Sequence, residues 1–88
     1  MKLERSPLAV ERVSEIAEYI ALDSPMAAEK WANAIFEKTD ILSELPNSGR
    51  VVPELNRNNI REILFGNYRI IYRVGVETIS VLTVRHTR

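Results

Sequence analysis

The sequence predicts an α+β fold in which an N-terminal antiparallel helical hairpin packs on a small antiparallel sheet, in the order β-α-α-β-β-β. Three observations predict it. Apolar residues recur at helical spacing through the first half of the chain, and the pattern shortens to that of strands after Ile60. Between the two regions stands Pro46-Asn47-Ser48-Gly49, a run of residues that ends helices. With 88 residues the chain is expected to form one domain, 1–88, near the lower size limit for a single self-sufficient core.

The elements follow in order. Leu3 to Arg5 is a short, extended lead-in. Ser6-Pro7 places a capping hydroxyl before a proline at the first helical position. Ala9, Val13, Ile16, Ala17 and Ile20 then form one apolar stripe, with Glu11, Glu15 and Glu18 off it. Asp23-Ser24-Pro25 repeats the start signal after a very short turn, so the second helix packs antiparallel to the first. Its stripe of Ala28, Trp31, Ile35, Leu42 and Leu45, with Thr39 in the gap, predicts a helix running to about Leu45. Arg50 to Asn59, with Pro53 and three asparagines, is expected to be a loop or irregular edge.

Ile60–Phe65, Tyr68–Val74 and Thr78–Val84 are rich in β-branched and aromatic residues, which suit a pleated surface. Gly66-Asn67 fits a two-residue hairpin turn, and Gly75-Val76 is taken as a second. On those turns Ile63 faces Ile70, Phe65 faces Tyr68, Tyr72 faces Ile79 and Ile70 faces Val81. The core face then holds Ile63, Phe65, Tyr68, Ile70, Tyr72, Val74, Ile79 and Val81. The outer face holds Glu62, Leu64, Arg69, Ile71, Arg73, Ser80, Leu82, Val84 and His86.

Twelve basic and twelve acidic side chains balance, but unevenly along the chain. Residues 1–48 carry five basic and nine acidic groups, whereas residues 49–88 carry seven basic groups, all arginine, and three acidic ones. Arginine forks suit phosphates and carboxylates, so this half points to an anionic partner; alternatively, the arginine stems cover apolar sheet with their heads in water. A net charge of zero argues against non-specific coating of nucleic acid. No cysteine is present, which excludes disulfides and zinc sites of the thiolate type. One histidine and no cysteine argue against a dedicated transition-metal site, and no glycine-rich phosphate loop or nucleophile elbow occurs, so no cofactor is expected. No apolar run is long enough to span a membrane, and none follows the basic N-terminal residues as in a secretory signal. The expectation is a small protein of the cytoplasm.

Candidate chemistry concentrates on a few side chains. His86 sits beside arginines and could move protons in phosphodiester cleavage, or could simply be solvated at a frayed end. Arg69, expected mid-sheet on the outer face beside Leu82, could stabilise developing charge on a phosphate, or pair across strands with Glu62 or another carboxylate. Glu54 could be a general base, the partner of an arginine, or a solvated loop residue. Arg61 lies by register on the core side near Tyr72. Tyr68 and Tyr72 could stack on bases, though their apolar face favours core packing.

The ordered set of motifs resembles the RelE/ParE superfamily of bacterial toxins. It comprises Ser6-Pro7-x-Ala9, Tyr19-Ile20, Asp23-Ser24-Pro25, Leu45-Pro46-Asn47-Ser48-Gly49-Arg50 and Val52-Pro53-Glu54. Ile60-Arg61-Glu62-Ile63, Tyr68-Arg69-Ile70-Ile71-Tyr72-Arg73 and Val84-Arg85-His86 complete it. The resemblance implies a toxin of a type II toxin–antitoxin module, held inactive in a hetero-oligomer with a cognate antitoxin protein. Two activities share that fold: ribosome-dependent cleavage of messenger RNA by RelE-like members, and inhibition of DNA gyrase by ParE-like members. For a nuclease, the resemblance assigns Arg69 to the scissile phosphate and Glu54 or His86 to proton transfer. Arg61, Arg73, Arg85 and Arg88 become candidates for target or phosphate binding. The long second helix, its Asp-Ser-Pro-x-Ala-Ala opening and the absence of lysine after Lys38 incline the expectation towards gyrase inhibition. A non-toxic binding homologue is the third possibility.

Overall fold

The computed structural model describes residues 1–88. Strand β1 (Lys2–Arg5) leads into helices α1 (Pro7–Ala21) and α2 (Pro25–Asp40), and a 3₁₀ turn follows at Ile41–Ser43. Strands β2 (Arg50–Val51), β3 (Ile60–Phe65), β4 (Tyr68–Val74) and β5 (Thr78–His86) complete the chain. Both helix starts form for the local reason anticipated. Ser6 Oγ accepts the Ala9 N–H at 3.0 Å and Ser24 Oγ accepts that of Ala27 at 3.2 Å, with proline next in each case. Ser6 Oγ also donates to the Leu82 carbonyl at 2.8 Å, which fixes the start of α1 on β5.

The five strands form one sheet in the order β1-β5-β4-β3-β2. This corrects the expected antiparallel sheet: β1 pairs parallel with β5, placing Leu3 opposite Ile79, so the sheet is mixed. The lead-in is thus a full edge strand, supported by the Lys2 N–H donating to the Glu77 carbonyl at 3.0 Å. A further strand lies at the opposite edge, where Arg50 and Val51 pair with Glu62 and Arg61 inside the expected loop. The second helix is shorter than its apolar stripe. It ends at Asp40, and the 3₁₀ turn carries Leu42 into the core while Leu45 stays exposed.

The helices cover one face of the sheet. The main core joins Ala9, Val13, Ile35 and Leu42 to Ile70, Tyr72, Ile79, Val81 and Val84, and Trp31, Phe36, Ile63, Phe65 and Tyr68 pack around it. On the other face a small cluster of Val52, Ile60 and Ile71, with Leu82 against it, sits under the segment that links β2 to β3. No helix is long and apolar enough to cross a membrane.

The β3–β4 hairpin has the expected register, Ile63 opposite Ile70 and Phe65 opposite Tyr68. Gly66 takes φ +57°, a left-handed conformation that a side chain would strain. The next hairpin departs from expectation twice. Its turn is longer than Gly75-Val76, so Val74 faces Ile79 and Tyr72 faces Val81, a slip of two that leaves the faces unchanged. A bulge at Ile71/Tyr72 then changes the register by one, making Ile71 face Thr83 and Ile70 face Val84. A one-residue change swaps faces. Val84 therefore lies in the main core, and His86 turns to the helix side, opposite to the outer-face position expected for both.

Candidate functional site

Arg69 projects from the start of β4, the central strand, onto the outer face, where it meets two carboxylates. Its Nε donates to Glu62 Oε1 at 2.7 Å, and its terminal NH2 group lies 2.5 Å from the same oxygen. That NH2 group also donates to Glu54, at 2.9 Å to Oε2 and 3.3 Å to Oε1. Glu62 is buried completely, and its second oxygen takes Arg50 Nε at 2.7 Å. Two guanidiniums thus neutralise a carboxylate that water does not reach, the condition under which a buried charge is tolerated. The chain Arg50–Glu62–Arg69–Glu54 ties together β2, β3, β4 and the segment after β2.

The charges shift one another. The Arg69 hydrogen bond holds the Glu54 carboxyl below its ordinary value of 4.5, its own backbone hydrogen bond adds to this, and the nearby Arg85 charge contributes a smaller pull. Glu54 and Glu62 in turn hold Arg69 protonated more firmly than a free arginine.

Beside this network, Arg61 is fastened to the loop before β2. Its NH1 donates to the Gly49 carbonyl at 2.8 Å, while its Nε is buried without a partner. The Tyr72 hydroxyl accepts the Gly49 N–H at 2.9 Å and donates to the Pro46 carbonyl at 2.8 Å. Glycine is required at position 49, because a Cβ there would stand 2.5 Å from the Glu62 carbonyl oxygen. Arg73 and Arg85 are exposed on the outer face, and Arg88 is exposed at the C-terminus.

His86 is elsewhere. It pairs across strands with Tyr68, their rings 5.4 Å apart, and Tyr68 in turn meets Trp31 of α2 edge to face at 5.1 Å. Glu15, Ile16 and Tyr19 of α1 complete an open depression around it. Arg69 and His86 therefore occupy opposite faces of the sheet, and of the three candidate catalytic residues only Arg69 and Glu54 meet. Of the candidate binding arginines, Arg85 alone is a cross-strand neighbour of Arg69.

Two members of the network are not singled out by the sequence as site residues: Glu62 enters only as an alternative partner for Arg69, and Arg50 only as one of the seven arginines of the second half and the last residue of a motif. The available signal was an acidic residue on the outer face of a strand, diagonal to an arginine on the next. No group of three or more histidine, cysteine, aspartate or glutamate side chains is arranged to hold a metal ion.

Comparisons with known proteins bear on this geometry. Residues 3–88 match the family model described as ParE toxin of type II toxin-antitoxin system, parDE. A Sinorhizobium fredii protein named "Putative toxin Y4kP" is 36% identical over 80 residues, covering 89% of this chain and 79% of its own length. Among solved structures, the chromosomal ParDE toxin–antitoxin system of P. aeruginosa superposes with a TM-score of 0.82 at 22% identity, over 98% of this chain and 95% of that one. The RelBE2 toxin–antitoxin complex of Mycobacterium tuberculosis gives a TM-score of 0.65 at 19% identity, over 97% and 95% of the two chains. At those identities the two structures speak for the fold.

Proposed function

The chain belongs to the ParE toxin family of type II toxin–antitoxin systems, and from that premise we propose that its one domain, residues 1–88, arrests bacterial growth by binding and inhibiting DNA gyrase. It acts without cofactor in the cytoplasm and is neutralised by a cognate antitoxin protein in a hetero-oligomer. The observation that carries this choice over RNA cleavage is the separation of Arg69 from His86 by the thickness of the sheet. Cleavage by 2′-hydroxyl attack needs an acid, a base and a charge-stabilising group around one phosphate. Here Arg69 is already shared between two carboxylates, and Glu54 is held ionised by the arginine beside it, which weakens it as a base. His86, the remaining proton donor, faces the helices.

Binding needs no such convergence. The exposed surface offers Tyr19, Leu22 and Met26 at the tip of the helical hairpin, and arginines on the outer sheet face. The test is a supercoiling assay with purified gyrase and relaxed plasmid, titrated with the toxin and then with toxin saturated by antitoxin. Inhibition that antitoxin reverses is expected. Undiminished supercoiling at high toxin excess would overturn the proposal, and a lack of growth arrest on expression without antitoxin would identify a non-toxic binding homologue instead.

A further inference from the structure

Arg69 and Arg85 stand directly opposite each other on β4 and β5. Like charges in that arrangement repel, and a sheet tolerates them best when an anion lies between them and solvent. Arg85 is exposed and has no carboxylate within salt-bridge distance of its own. The anion that lies nearby is Glu54, whose two oxygens take the outer NH2 group of Arg69 at 2.9 and 3.3 Å.

Glu54 is not built into the fold in the way Glu62 is. Its side chain is 60% exposed, whereas that of Glu62 is fully buried. Every residue from Pro53 to Asn59 is exposed, and the segment is anchored chiefly at its ends. Val52 is buried beneath it and accepts the N–H groups of Leu55 and Asn56, and Ile60 is buried where β3 begins. Withdrawing Glu54 would leave Arg69 still oriented by its Nε bond to Glu62. A pre-positioned guanidinium would then present its outer edge beside a second, free one.

We propose that the Arg69–Arg85 pair is a docking site for an acidic segment of a partner protein, which the chain keeps occupied with its own Glu54 carboxylate until the partner displaces it. The occupant already in place is a carboxylate, so the geometry suits that group. A nucleic-acid strand fits less well. Its phosphates need a continuous basic track, and here Glu62 lies beneath the pair while the whole chain is neutral. The proposal concerns a recognition step and holds whichever target the toxin inhibits.

The test measures binding of a fluorescent acetyl-hexaglutamate amide to the full chain at low ionic strength, where exposed ion pairs are least screened. A six-nucleotide DNA strand serves as the competing probe. Glu54→Gln removes the internal competitor and is expected to tighten peptide binding by about 2- to 5-fold, the factor an exposed ion pair commands. Arg85→Ala in the same background is expected to cancel the gain, and the Nε–H resonances of Arg69 and Arg85 should shift with peptide. Unchanged, weakened or undetectable peptide binding in Glu54→Gln would overturn the proposal, as would a gain that survives Arg85→Ala. Tighter binding of the DNA strand than of the peptide would overturn the assignment to a protein partner. Both substitutions are at exposed positions, and unchanged far-UV circular dichroism confirms that each comparison is made on folded protein.

Discussion

Replacing Glu62 by glutamine should be among the most damaging isosteric changes available to this chain. The carboxylate is buried, with one oxygen facing Arg50 and the other facing Arg69. Glutamine preserves the volume but removes the charge, and its amide N–H group points at a guanidinium N–H, donor against donor. The two arginines lose unequally. Arg50 has a 62% exposed side chain and can rehydrate, so its loss is close to that of a surface pair, about 0–1 kcal/mol. Arg69 is only 15% exposed and keeps Glu54 alone, so most of the cost falls on it. Breaking a buried pair by removing one partner costs about 3–5 kcal/mol, and the remaining Glu54 contact favours the lower end, about 3 kcal/mol.

A domain of 88 residues has a total stability of about 4–13 kcal/mol, so the variant should fold but weakly. Trp31, half-buried against Tyr68, supplies a fluorescence signal for urea unfolding. The midpoint should fall at unchanged slope, and the melting temperature should drop by about 12–24 °C. A loss below about 1 kcal/mol would show that Glu62 behaves like a surface charge, and would refute the role given to the network.

Three further outcomes are expected. Lowering the pH removes the Glu54 contribution: because its folded pKa lies below the unfolded value of 4.5, that stability is complete above 4.5 and disappears as pH falls through the folded value. Glu54→Gln should therefore flatten the acid side of the stability curve below pH 4.5, as read by urea midpoints across pH, and a slope equal to the wild type's would contradict the ion pair. Gly49→Ala should cost about 1–3 kcal/mol in the same assay, since the added Cβ meets the Glu62 backbone oxygen at 2.5 Å and the buried, hydrogen-bonded Tyr72 hydroxyl at 2.7 Å, neither of which moves freely. His86→Ala should leave growth arrest intact when expressed without antitoxin, because the imidazole lies on the face away from Arg69; loss of arrest with normal folding would restore His86 to the mechanism.

Sequence and structure agree where signals are local. The two Ser-Pro starts cap the helices through their own hydroxyls, and Gly66 turns the first hairpin with its left-handed backbone. They part where pairing is long-range or the signal is silent. Nothing in Lys2–Arg5 announces a parallel partner 76 residues away at Thr78–Val81. The bulge inserts one residue into β5 without a glycine or proline to mark it, so strict alternation along the sequence puts Val84 and His86 on the wrong face. The stripe through Leu42 could not distinguish an α-helix from a 3₁₀ turn, because both bring Leu42 to the core. At the site, cross-strand alternation was enough to suggest Arg69 with Glu62. It could not reveal Arg50, whose strand is two residues long, or choose among the roles of Glu54, which depend on how its loop folds back.

The separation of Arg69 and His86 is tested most directly by incubating purified toxin with ribosomes programmed with messenger RNA and mapping 5′ ends by primer extension. The expected result is intact message at toxin concentrations that arrest supercoiling. Cleavage at discrete codons, abolished by His86→Ala or Arg69→Ala in folded protein, would contradict the account.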